Sequence, residues 1–222
     1  MSGKTLKTKS GKIVNKSKKT MNKALKRNTE LLFEIGTMRH LDRVWRQFLN
    51  PDTANCAEHI FRVAWIAMTL AKLEKKGDHG KILKMALVHD LTETRTGDVH
   101  YLSRQYTKRS EIQAVEDMFE ETVHSDEMIA LFKEYEERKC IEAQIVKDAD
   151  NLDVELELAE MRAKGFSLGH LWVKNRKDNV YPKLFTASAK KLWDNIGKTD
   201  PHDWHYYSKM NRHNGGDWKK KG

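Results

Sequence analysis

The chain has 222 residues, 33% charged and 39% hydrophobic, which is enough apolar content to close one core without disulfides. No apolar run approaches the roughly 20 residues a spanning helix needs, and the N-terminus lacks the apolar stretch of a secretory signal. Membrane and secreted classes are therefore set aside, and the net charge of +9 suggests nucleic acid only until it is located.

Residues 1–28 carry ten Lys or Arg and no acid, so the rest of the chain sums to −1. This segment is rich in Lys, Ser, Thr and Asn, and reads as a disordered basic tail too polar to pack. Such a tail could give weak, salt-sensitive contact with nucleic acid. Pro occurs only at Pro51, Pro182 and Pro201, and the stretches between read with helical periodicity, which predicts an all-α helical bundle. A helical core is expected over 29–168, with 169–222 as an extension packed on the core or on a partner subunit.

The first helix is expected over Asn28 to Phe48, with Leu31, Leu32, Ile35, Met38, Leu41, Val44, Trp45 and Phe48 at three- and four-residue steps. Pro51, Asp52 and Asn55 supply a turn and a cap before a helix that carries His59 and runs to about Lys75. A helix over Lys81 to Thr94 ends in His89, Asp90 and Glu93, and Gly97 stops it. Helices over Arg109 to Thr122 and Glu127 to Arg138 follow, then a long one over Cys140 to Lys164. Beyond Gly169 the pattern weakens, apart from a helix over Phe185 to Ile196.

Glu58-His59, His89-Asp90 and Asp150 are three separated stretches of metal-binding side chains, the first two lying beside nearly all-apolar runs. A charge buried on such helices costs several kcal/mol, roughly, unless it is partnered, and a metal is an economical partner. Neutral nitrogen and anionic oxygen together suit a first-row divalent ion. On the long helix Val146, Asp150, Asp153 and Glu157 share a face and Asp148 points elsewhere, so Asp150 is read as a ligand and Asp148 as a surface carboxylate. Glu93 returns to the face of His89 one turn on, close enough to handle protons without ligating. Asp98, after Gly97, could close the site. Cys56 and Cys140 stand far apart and read as free thiols in a reducing cytoplasm.

The segments Met38-Arg39 to Trp45, Ala57-Glu58-His59 with Arg62-Val63-Ala64, Ala86-Leu87-Val88-His89-Asp90 with Glu93 and Thr96-Gly97-Asp98, and Val146-Lys147-Asp148-Ala149-Asp150 occur in that order. Together they resemble the HD-domain superfamily in its 5′-deoxynucleotidase branch, over about Leu31 to Met161. The resemblance implies one divalent metal (Mn, Co, Fe, Zn or Mg) on His59, His89, Asp90 and Asp150. It further implies Glu93 as a catalytic acid or base, Asp98 as a group positioning water or substrate, Arg43 for the 5′-phosphate and Trp45 near the sugar. Val44 between Arg43 and Trp45 departs from the family's spacing. Thr94 stands where guanosine tetraphosphate hydrolases of the superfamily carry Asp, and Thr92-Glu93 where larger dNTP triphosphohydrolases carry Gly-His. The expected activity is release of phosphate from deoxynucleoside 5′-monophosphates by a homodimer. A nucleoside-triphosphate hydrolase and a nucleic-acid-associated protein using the basic tail are the alternatives. The aromatic and His-rich run Asp200 to Tyr207, with His213 and Trp218, reads as a lid, a dimer strap or a stacking surface.

Overall fold

The computed structural model describes residues 9–49 and 52–206, so Pro51, Tyr207, His213 and Trp218 lie outside the described residues. It is all-α: α1 (Lys9–Gly36), α2 (Cys56–Glu74), α3 (His79–Val88), α4 (Glu93–Thr96), α5 (Glu111–Phe119), α6 (Ser125–Glu137), α7 (Ile141–Ala163), α8 (Leu168–Asn179), α9 (Ala187–Ile196) and α10 (Asp203–Tyr206). Among the described residues no helix is long and apolar enough to cross a membrane.

The axis of the bundle is α7, against which α2, α3, α6, α8 and α9 all pack. Its inward positions alternate small and branched side chains, with Ala143, Val146, Ala149 and Leu152 fully buried, so neighbouring helices approach from several sides at once. Both flanking helices begin where the sequence dictates. The Asn55 side chain accepts from the Glu58 N–H while Glu58 accepts from the Asn55 N–H, a reciprocal cap that starts α2 at Cys56. Glu58 is thereby a capping group, and His59 falls in the first turn. Asp78 caps α3 by accepting from the Lys81 N–H.

Five expectations change. The first helix stops at Gly36, and residues 37–40 and 44–47 form short 3-10 turns around an extended Arg43 (φ −67°, ψ 140°). A bridge between Asp42 and Asn55 holds this segment out, with the Cys56 N–H donating to Leu41 O at 2.9 Å, so long-range pairing outweighs the helical periodicity of the sequence. The Lys81 to Thr94 helix breaks at Val88. Glu93, Thr94 and Arg95 donate to carbonyls three residues back, and the turn closes at Gly97, whose φ of +72° no Cβ-bearing residue adopts cheaply. The weak pattern after residue 168 conceals α8, whose buried residues are only Gly169 and Arg176, too few to register as an apolar stripe.

The basic segment is the fourth. Residues 9–28 belong to α1, and its last positions are anchored. Arg27 donates to the Asp117 and Met118 carbonyls near the end of α5, Asn28 accepts from the Val123 N–H at 3.0 Å, and Lys23 pairs with Glu121 at 2.6 Å. Carbonyls in the last turn of a helix lack partners of their own, and Arg27 supplies them.

Asp148 is not a surface carboxylate. It is fully buried and accepts from the Phe185 N–H, the Thr186 N–H and the Thr186 hydroxyl at 2.8–2.9 Å, tying the entry of α9 to α7. Asp148→Ala would leave those donors buried without a partner. We expect it to lower stability by about 2–4 kcal/mol while leaving metal content unchanged in the folded fraction. Urea unfolding beside elemental analysis checks this, and an unaltered midpoint would refute it.

Candidate metal centre

His59 is 1% exposed, and its Nδ1 donates to Asp153 Oδ2 at 2.6 Å. Asp153 is itself gripped by Arg62 Nε at 2.5 Å, and Arg62 reaches on to Glu160 at 2.8 Å. His89 uses its Nδ1 in the same way, donating to Ala86 O at 2.8 Å. These partners place the proton of each ring on Nδ1 and leave the Nε2 lone pair facing inward. Both Nε2 atoms are buried without a hydrogen-bond partner among the described residues.

Those two nitrogens meet two carboxylates. One ligand atom from each of His59, His89, Asp90 and Asp150 lies within 4.8 Å of the others. His59 Nε2 is 3.4 Å from both Asp90 and Asp150, and His89 Nε2 is 3.3 Å from Asp90. Burial alone would push Asp150 up, but Lys147 at 2.7 Å and the two imidazoles hold it well below the usual carboxylate range. Burial likewise opposes ionisation of Asp90, and His89 and His59 override it. For His59, burial and Arg43 push the imidazole down, and Asp150, Asp153 and Asp90 outweigh them and raise it, so that without a cation these carboxylates favour a proton on Nε2, which a bound metal would displace. A buried, electron-rich pocket with two ionised carboxylates and two orphaned imidazole nitrogens fits a divalent first-row cation.

Glu93 stands beside this set. It is 5% exposed, with the Cys56 thiol donating to Oε2 at 3.5 Å and Arg109 Nη1 3.8 Å from Oε1. Burial pushes its carboxyl up to about 9, Asp90 and Asp98 add to this, and Arg43 and His59 oppose it. It therefore holds a proton at neutral pH, and a cation among the neighbouring carboxylates would draw that value down. Cys56, Glu93 and Asp98 also lie within 4.8 Å of one another. Burial and Glu93 keep the Cys56 thiol protonated, and Asp98 is committed to the Val44 N–H at 3.0 Å, so this trio is a hydrogen-bonded support.

Arg43 is 6% exposed and turned inward, 3.5 Å from Asp90 and 3.7 Å from Asp98, which keep it charged against its burial. One cavity of about 520 Å³ brings together Arg43, Trp45, His89, Asp90, Glu93, Asp98 and Asp150. His59, His89, Asp90, Glu93, Asp98, Asp150, Arg43 and Trp45, the residues given site roles in the sequence, thus all touch this cavity or the metal set beside it. The cavity also takes in Arg104, Arg109, Arg138, Lys147, Arg176 and Tyr101, of which only Lys147 lay within a recognised motif. Nothing local marks the 100–109 loop; it reaches the site because Gly97 turns the chain. Asp153 could have been found from its place on the Asp150 face. Trp204 lines a different groove, with Leu156, Leu192 and Ile196.

The HD-domain family model matches residues 35–193, which include every residue of the metal set and of the cavity named above but not Trp204. The chain is 34% identical over 116 residues to 5′-deoxynucleotidase HDDC2 of Dictyostelium discoideum, a match covering 47% of this chain and only 60% of that protein. It is 27% identical over 162 residues to 5′-deoxynucleotidase HDDC2 of Danio rerio, covering 68% of this chain and 78% of that one. Among solved structures, the PH0347 protein from Pyrococcus horikoshii OT3 superposes with a TM-score of 0.61 at 27% identity, over 77% of this chain and 98% of its own.

Proposed function

The chain belongs to the HD-domain family, and from that premise we propose that it is a metal-dependent 5′-deoxynucleotidase, converting deoxynucleoside 5′-monophosphates to deoxynucleosides and phosphate. The observation that carries this reading is one cavity joining a His₂Asp₂ donor set, a buried carboxyl at Glu93 and an inward-facing guanidinium at Arg43. A divalent cation held by His59, His89, Asp90 and Asp150 would supply Lewis-acid charge neutralisation and lower the pKa of nearby water. Its identity among Mn, Co, Fe, Zn and Mg is left to elemental analysis.

The side chains divide the remaining work. Glu93 when protonated would hand its proton to the departing O5′, and when ionised beside a cation would take one from the attacking water, a contribution of about 10² to 10⁴ in rate. Arg43 donates to phosphoryl oxygens as a two-pronged fork. Asp98 aims that fork by holding the Val44 N–H and facing Arg43 Nε, which is its positioning role. Trp45, two residues on, lies on the sugar side. A homodimer remains part of the proposal, supported by the exposed rings of Phe61 and Trp65 on α2, apolar surface that a second copy could cover.

A triphosphate reading keeps one observation in its favour. Five further basic residues reach the cavity, so a count of one arginine does not exclude longer phosphates. Most are neutralised, however: Lys147 by Asp150, Arg109 by Glu111 at 2.8 Å, Arg176 by Glu155 at 2.5 Å and Arg138 by Glu136 at 3.4 Å. Metal-loaded protein given a panel of nucleotides should release phosphate from deoxynucleoside 5′-monophosphates, more slowly from ribonucleotides and hardly at all from 3′-monophosphates. Arg43→Ala should lower kcat/KM by about 100-fold, the worth of a charge-assisted fork. Intact triphosphate as the main product from dNTPs would overturn the assignment.

A further inference from the structure

Away from the metal ligands, Trp45, His100 and Tyr101 give one stretch of the otherwise polar cavity wall an aromatic face. Trp45 stands edge-on to Trp172 of α8, with ring centroids 4.8 Å apart and planes at 86°. Trp172 in turn meets Tyr101 edge-on at 6.3 Å, and Tyr101 is braced by Phe48 and His100, each at 6.1 Å. Tyr101 lines the cavity and is nonetheless 61% exposed. A large aromatic that packs for stability buries its ring, and this one is held by three aromatic neighbours while most of its surface stays open.

The aromatic wall and the phosphate end are joined by a short stretch of chain. Arg43 faces Asp90 of the metal set, and Trp45 two residues later opens the aromatic row that ends at Tyr101. A cavity of about 520 Å³ is of the size that accepts a nucleotide. Resting on the nucleotidase reading, we infer that Tyr101, backed by Trp172, is the stacking platform for the nucleobase. A ring face grips any planar base and reads no hydrogen-bonding edge, so the site tolerates all four bases and holds the larger purines better. Arg104, whose Nε is committed to Val99 O at 2.7 Å, stands beside it on the cavity wall.

The test uses the full chain loaded with metal, with Tyr101→Leu against Tyr101→Phe. Tyr101→Leu should raise KM for deoxyadenosine 5′-monophosphate about tenfold, and bring the KM ratio between 2-deoxyribose 5-phosphate and that nucleotide toward one. Tyr101→Phe, which keeps the ring, should retain the wild-type ratio. An independent readout needs no turnover: deoxyadenosine should quench tryptophan fluorescence in the wild type and Tyr101→Phe, and lose that effect in Tyr101→Leu. An unchanged KM ratio in Tyr101→Leu, or a wild type that deoxyadenosine does not quench, would overturn the platform. A wild type that quenches but releases phosphate from no nucleotide would instead refute the nucleotidase reading and leave the platform standing.

Discussion

Asp150→Ala is expected to yield a folded protein with neither bound metal nor phosphate-releasing activity. Asp150 contributes one of the two carboxylates in the donor set, kept ionised by Lys147 at 2.7 Å and placed 3.4 Å from His59 Nε2. Its removal leaves two imidazoles and a single anion, a donor set short of both charge and ligands for a divalent ion. Lys147 would lose its partner at the same time and add positive charge beside the vacated position. Elemental analysis of the purified variant decides the point, and full metal occupancy would remove Asp150 from the set. The fold should survive, because the α7 core around Ala149 and Leu152 is untouched.

Glu93→Ala separates chemistry from binding. Glu93 lies outside the four-ligand group and is held by Cys56 and Arg109. The variant should therefore keep its metal and its KM within a few-fold while kcat falls by about 10² to 10⁴. A variant that loses metal would place Glu93 among the ligands, and one that turns over at the wild-type rate would place it outside the mechanism. The two substitutions are thus expected to differ in metal content and to agree in lost activity.

The all-α class, five helix bounds to within a few residues, the N-terminal cap of α2 and the metal-ligand motifs were legible in the sequence. Each of these is written locally: a helix buries one face through residues three and four apart, and a cap is made by neighbours. Face arithmetic on α7 correctly grouped Asp150 with Asp153, and the structure has both on His59. It could not foresee Asp148, whose partners Phe185 and Thr186 lie nearly forty residues away and bury it. The inward turn of Arg43 likewise depends on the Asp42–Asn55 bridge and on Asp98, more than fifty residues on. The anchoring of Arg27 depends on the end of α5, and the aromatic wall on α8, a helix with almost no apolar stripe. Sequence alone determined the helical class and the candidate donors His59, His89, Asp90 and Asp150, and it left Tyr101 and the further arginines of the cavity unmarked. Tertiary structure decided which of them were buried, paired and aimed, because desolvation and partner choice arise between segments distant in the chain, where no local pattern records them.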